Sequence, residues 1–192
     1  MASVRRQTKE TEIDLTLVLD GKGEAELDCG VPFLEHMLTL WSYHACFDLQ
    51  LQAKGDWQVD AHHVVEDVGL VLGETLHQAL GDKAGITRYA SLALPMDEAL
   101  VLVAIDLSGR PYLGFDLPLP AERVGNFETE LVEDFLRAFT NRAHCTLHVK
   151  LLAGRNTHHI IEALFKGLGR VLGTASRVEG RVPGIPSTKG LL

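Results

Sequence analysis

The sequence predicts an α+β fold made by tandem duplication of one β-β-α-β-α unit, closed into a layered α/β sandwich. Three observations predict it. The pattern His-His-x-x-Glu occurs at residues 62–66 and again at 158–162, 96 residues later. In each half, segments with a two-residue hydrophobic period precede segments with a helical period. No G-x-G-x-x-G or Walker sequence marks a nucleotide-binding fold. With 192 residues, 46% hydrophobic and 23% charged, the chain has the composition of an ordinary globular protein with a sizeable core. The expected organisation is one unit, 1–192, of two repeats at about 1–85 and 86–180, followed by a tail at 181–192.

Each element follows from its period. "TEIDLTLVLDGKGEAELD" (11–28) alternates Ile13, Leu15, Leu17 and Leu19 on one face and turns at Asp20-Gly21-Lys22-Gly23, a hairpin signal. After Pro32, the residues Phe33, Met37, Leu40 and Trp41 recur at helical spacing. "FDLQLQA" (47–53) reads as a strand, and 61–80 as a long helix closed by Gly81. The second half restates this order: strands within 92–117, a helix over 127–143, a strand over 145–153 and a helix over 157–174. One two-residue gap aligns Glu35 with Glu133, Leu38 with Leu136, and Leu72-Gly73 with Leu168-Gly169. Trp41, Trp57 and the leucine stripes are expected in the core.

The formal charge of −8 and the lack of a long basic run argue against nucleic-acid binding. No run of 18 apolar residues and no secretory leader is present, so no membrane partner is expected and the cytoplasm is the expected compartment. Cys29, Cys46 and Cys145 form no C-x-x-C pair, which argues against a disulfide framework and a thiolate zinc site; all three read as small buried hydrophobes.

The repeated histidines carry the chemistry. On a helix, Glu66 shares a face with His62 or His63, but the adjacent histidines stand about 100° apart around the axis. Such a pair serves two metal ions better than it chelates one. Adding the residue that leads each repeat, His36 and Asp134, gives eight ligands: His36, His62, His63, Glu66, Asp134, His158, His159 and Glu162. Imidazole and carboxylate without thiolate suit Mn, Fe or Zn with open coordination positions, and Mn²⁺ is the first choice. The alternative is that both clusters only stabilise helix starts. His44, His77, His144 and His148 fall outside the pattern and read as structural or exposed. Asp67 reads either as a partner orienting a ligand or as a helix-start carboxylate. Arg88 and Arg110 sit near strand ends and suit a phosphate; Lys166 lies one turn beyond Glu162; Ser187 and Lys189 stand in a glycine-flanked tail.

"RQTKETEI", "FLEHML", "GDWQVDAHHVVEDVGLVLG", "SGRPYLGF", "RVG", "GRNTHHIIEALFK" and "PSTKG" follow in order along the chain. Together they resemble the imidazoleglycerol-phosphate dehydratase family of histidine biosynthesis. The resemblance implies the tandem fold, like domain 2 of ribosomal protein S5. It also implies homo-oligomeric shells of about 24 subunits with active sites at the interfaces and two Mn²⁺ ions at each. It places metal ligands at His36, His62, His63, Glu66, His158, His159 and Glu162. The eighth ligand is usually histidine in the family, and here that position is Asp134, whose carboxylate bears on metal preference rather than on the reaction. Substrate contacts fall on Glu10, Arg88, Arg110, Lys166, Ser187 and Lys189, the cations and serine matching the phosphate; the tail is thus a phosphate-binding segment. The implied reaction dehydrates imidazole glycerol phosphate to imidazole acetol phosphate through a metal-stabilised imidazolate and a diazafulvene-like intermediate. Glu10, Glu66, Glu162 and Lys166 are the expected catalytic residues, with Glu10 moving a proton. Two other readings stay open: a dimetal phosphate-ester hydrolase, and a metal-dependent assembly module without activity.

Overall fold

The computed structural model describes residues 1–56, 58–179 and 184–192. In chain order the first repeat holds β1 (Ala2–Gln7), β2 (Thr11–Val18), β3 (Ala25–Asp28), α1 (Pro32–Ala45), β4 (Asp48–Gly55) and α2 (His62–Leu80). The second holds β5 (Tyr89–Met96), β6 (Ala99–Asp106), β7 (Tyr112–Asp116), α3 (Leu131–Ala143), β10 (Thr146–Ala153) and α4 (Thr157–Ala175). A small hairpin, β8 (Arg123–Val124) with β9 (Phe127–Glu128), precedes α3. The two sheets have matching orders, β1-β2-β4-β3 and β5-β6-β10-β7, so the duplication is visible in topology.

The class is α+β as expected, but ahead of its first helix each repeat exceeds the two strands of the expected unit, with three in the first repeat and three plus the β8–β9 hairpin in the second. The extra strand of the first repeat is β1, where Arg6 takes one of the inward positions beside the apolar Ala2 and Val4. Arg6 Nε donates to the buried Asp67 at 3.0 Å, which satisfies the charge and hides the strand period. Asp67 also accepts the Thr11 hydroxyl. It therefore ties α2 to the β1–β2 corner, and neither expectation for it holds.

The hairpin expected over 11–28 does not form. Both edges of β2 are taken, by β1 and β4, so β3 crosses to the far side of β4 and pairs with it in parallel, Leu27 beside Leu51. The Asp48 side chain fixes that crossing by accepting the backbone N–H groups of Lys22, Gly23 and Glu24 at 2.7, 3.1 and 3.0 Å. The helix expected from 127 begins at Leu131, because Phe127 and Glu128 fold back on Arg123 and Val124 around Gly125, whose φ is +61°. Cys29 and Cys145 are buried; Cys46 is exposed, since it caps α1 in the left-handed conformation with φ 59°. Trp41 is buried, and Trp57 lies outside the described residues.

The helices form the middle of the molecule and the sheets its two outer layers. Ile13, Leu15 and Leu17 of β2, and Val101 and Val103 of β6, are fully buried under them. Each such side chain contributes roughly 1.5–3 kcal/mol. Across the middle the repeats exchange partners: α1 packs on α4, and α2 on α3. Gly73 of α2 and Gly169 of α4 allow this, since a Cβ at either position would meet the backbone carbonyl of Phe139 or Trp41.

Candidate active site

The start of each long helix is set by a side chain that accepts its first amides. Asp60 accepts the N–H of His62 at 2.8 Å, and Asn156 accepts those of His158 and His159 at 3.0 and 3.4 Å. Both histidine pairs therefore lie in the first turn, and their rings diverge. The centroids are 6.1 Å apart for His62 and His63 and 6.4 Å for His158 and His159, with the planes at 80° in both.

The leading histidine of each pair points across the helix interface. His158 Nε2 lies 3.2 Å from Glu162 Oε2, and His36 Nε2, brought over by α1, lies 4.0 Å from the same oxygen. One donor atom from each of these three residues falls within 4.8 Å of the others, spacing that one ion can bridge. Lys166 Nζ, one turn on, is 2.6 Å from the other Glu162 oxygen. Burial of Glu162 opposes its charge, but the bond and charge of Lys166, helped by His158 and His36, hold its carboxyl below the ordinary range. In the other group, His62 Nε2 is 4.0 Å from Glu66 and its Nδ1 is 3.7 Å from Asp134 of α3. Asp134 and Glu66 thus address opposite nitrogens of one ring, so this group is more open than the first.

The trailing histidines turn the other way. His63 Nδ1 lies 3.1 Å from both oxygens of Asp56, with Glu10 at 3.9 Å. His159 Nδ1 lies 2.8 Å from Glu98, and its Nε2 is 3.9 Å from Asp97. Both imidazoles have raised pKa values, chiefly through the bonds to Asp56 and Glu98, and Glu98 is drawn down to about 2, first by its bond from His159.

A second locality is a cleft of about 1060 Å³ lined by Arg88, Ser108, Arg110, Ser187 and Lys189. Four of the expected phosphate contacts therefore come together. Arg110 is more exposed, its side chain 70% accessible, with its guanidinium donating to the Ser108 carbonyl at 3.3 Å and lying 4.0 Å from Asp106. Arg88 is held: its guanidinium pairs with Asp106 at 2.8 and 3.2 Å and donates to the Pro186 carbonyl at 2.9 Å, anchoring the tail. Lys166 and Glu10 are not in this cleft; both lie with the histidines.

Sequence reasoning missed Asp56, Glu98 and Asp106. Metal-binding imidazoles commonly donate their second nitrogen to a carboxylate, which was the available signal. Glu98 stands 61 residues from its histidine, so only the fold identifies it.

Residues 29–172 match the profile of the family described as imidazoleglycerol-phosphate dehydratase. The imidazoleglycerol-phosphate dehydratase of Desulforudis audaxviator is 61% identical over 191 residues, covering 100% of this chain and 97% of that protein. The enzyme of that name from Thermoanaerobacter pseudethanolicus is 58% identical, covering 100% and 98%. Two solved structures superpose on the fold: the Staphylococcus aureus dehydratase, with TM-score 0.82 and 42% identity over 93% of this chain and 99% of that one, and the Pyrococcus furiosus protein, with 0.85 and 36% over 98% and 100%.

Proposed function

This chain belongs to the imidazoleglycerol-phosphate dehydratase family and is a hydro-lyase of histidine biosynthesis, and from that premise we propose how its residues convert imidazole glycerol phosphate to imidazole acetol phosphate. The convergence of His36, His158 and Glu162 carries the reading, because three nitrogen and oxygen donors without thiolate fit a divalent cation such as Mn²⁺. His62 with Glu66 at its Nε2 would contribute to a second ion, Asp134 standing at the ring's other nitrogen, with His63 and His159 completing the ligands of neighbouring copies. Bound there, the two cations would polarise the substrate's imidazole and make it the electron sink that this substrate, lacking a carbonyl, requires.

The chain's own groups do the rest. Glu10, with its side chain 57% exposed and 3.9 Å from His63 Nδ1, would take a proton from the carbon beside the ring. Lys166 keeps Glu162 charged and oriented. Arg110, Lys189 and Ser187 take the phosphate, while Arg88 holds the tail that carries two of them.

These parts do not meet within one chain. Glu162 is thirteen residues from Ala175 along α4, about 20 Å at 1.5 Å per residue, and Arg88 of the cleft is bonded to the Ala175 carbonyl. A ring bearing a three-carbon phosphate ester spans only about 8 Å by ordinary bond lengths. We infer that the metal groups of one copy face the phosphate cleft of another in a closed homo-oligomer, such as the expected 24-subunit shell. Among the described residues no helix is long and apolar enough to cross a membrane.

Product analysis tests the reading. Chelator-treated protein incubated with imidazole glycerol phosphate should form imidazole acetol phosphate only after Mn²⁺ is added. Release of inorganic phosphate would instead indicate a hydrolase, and an inert metal-loaded protein would leave the assembly module.

A further inference from the structure

His63 and His159 are each met by a carboxylate, but from different elements of their repeats. Glu98 stands in the two-residue turn between β5 and β6 and accepts the Nδ1–H of His159. Its other oxygen accepts the backbone N–H groups of Arg155 and Asn156 at 3.3 and 2.8 Å, so the carboxylate is fixed from two sides. The matching turn of the first repeat, between β1 and β2, holds Glu10. That turn is longer, and the Thr8 hydroxyl accepts the N–H groups of Glu10 and Thr11 at 3.1 and 2.9 Å. Glu10 stops 3.9 Å short of His63 Nδ1. The bond goes to Asp56, directly after β4, where the second repeat has no acid: Gly154 and Arg155 follow β10. With the proton on Nδ1 and aimed at a carboxylate, both rings present Nε2 as the donor atom.

We propose that Asp56 and Glu98 are positioning residues that orient His63 and His159 to bind metal through Nε2, and that Asp56, by taking this task in the first repeat, leaves Glu10 free for proton transfer. The inference rests on the metal-dependent dehydratase reading. Duplication has thus separated two jobs for a turn carboxylate: orientation in one repeat, chemistry in the other.

The test titrates Mn²⁺ into metal-free, full-length protein and follows free Mn²⁺ by its electron paramagnetic resonance signal, alongside turnover. Asp56→Ala and Glu98→Ala should each weaken Mn²⁺ binding about 10- to 100-fold. Asp56→Asn, isosteric and keeping one acceptor oxygen, should fall between Asp56→Ala and the parent. Glu10→Gln should bind Mn²⁺ within about twofold of the parent yet lose turnover. Parental affinity in Asp56→Ala, or a loss in Glu10→Gln equal to that of Asp56→Ala, would overturn the assignment. A parent that binds no Mn²⁺ would fail at the earlier step and remove the metal reading itself.

Discussion

At the scale of single residues, Asp134 sets this chain apart from its own first repeat. It brings a full negative charge to the position that His36 fills there, 3.7 Å from His62. Oxygen at that site should favour Mn²⁺ over metals that prefer nitrogen, so Asp134→His should shift competition binding toward Zn²⁺. An unchanged Mn²⁺ to Zn²⁺ ratio would contradict a ligand role. His77 offers a separate check. Its pKa is lowered by burial first and then by Lys83 and His144, and its Nδ1 has no hydrogen-bond partner among the described residues. A base depressed on folding binds fewer protons folded than unfolded, so its contribution is intact above the ordinary value of 6.5 and lost as pH falls below it. In denaturant melts of metal-free protein from pH 8 to 5, His77→Gln should lose less stability than the parent; parallel curves would contradict this. The two histidine and glutamate clusters were legible in sequence because their residue types recur at one spacing. Asp56, Glu98 and Asp106 were not, since an isolated acid gains meaning only from the histidine or arginine that the fold sets beside it.

Among the elements, the exchange of helix partners determines which ligands meet. His36 joins His158 and Glu162 only because α1 lies on α4, and Asp134 joins His62 only because α3 lies on α2. Gly73 and Gly169 set the closeness of these crossings. Gly73→Ala and Gly169→Ala should each destabilise by about 1–3 kcal/mol in denaturant unfolding, through overpacking against a backbone carbonyl. The Gly169 change should also weaken metal binding, because His36 moves with α1. A neutral substitution would contradict the packing. Helical period and the aligned glycines made the four helices legible. Strand pairing was harder: nothing in "TEIDLTLVLDGKGEAELD" shows that β4 will insert beside β2, and Arg6 conceals β1 by pairing with a residue 61 positions away.

For the whole molecule, the two ends of the long helices have different tasks. Their N-terminal turns carry the imidazoles and carboxylates, and the C-terminal end of α4 borders the cleft that gathers Arg110, Ser187 and Lys189. The resemblance of ordered motifs made the reaction legible, but the span of about 20 Å between the two localities emerges only from the fold. The most direct test is subunit mixing. Glu162→Gln and Lys189→Ala proteins, each inactive alone, are dissociated, combined in equal amounts and reassembled. A site built from different copies should recover roughly a quarter of the parental rate, or less where further copies contribute ligands, since random assembly places intact metal groups opposite intact clefts at that frequency. A mixture as inactive as its components, despite verified exchange of subunits, would place the whole site in one chain and contradict the account.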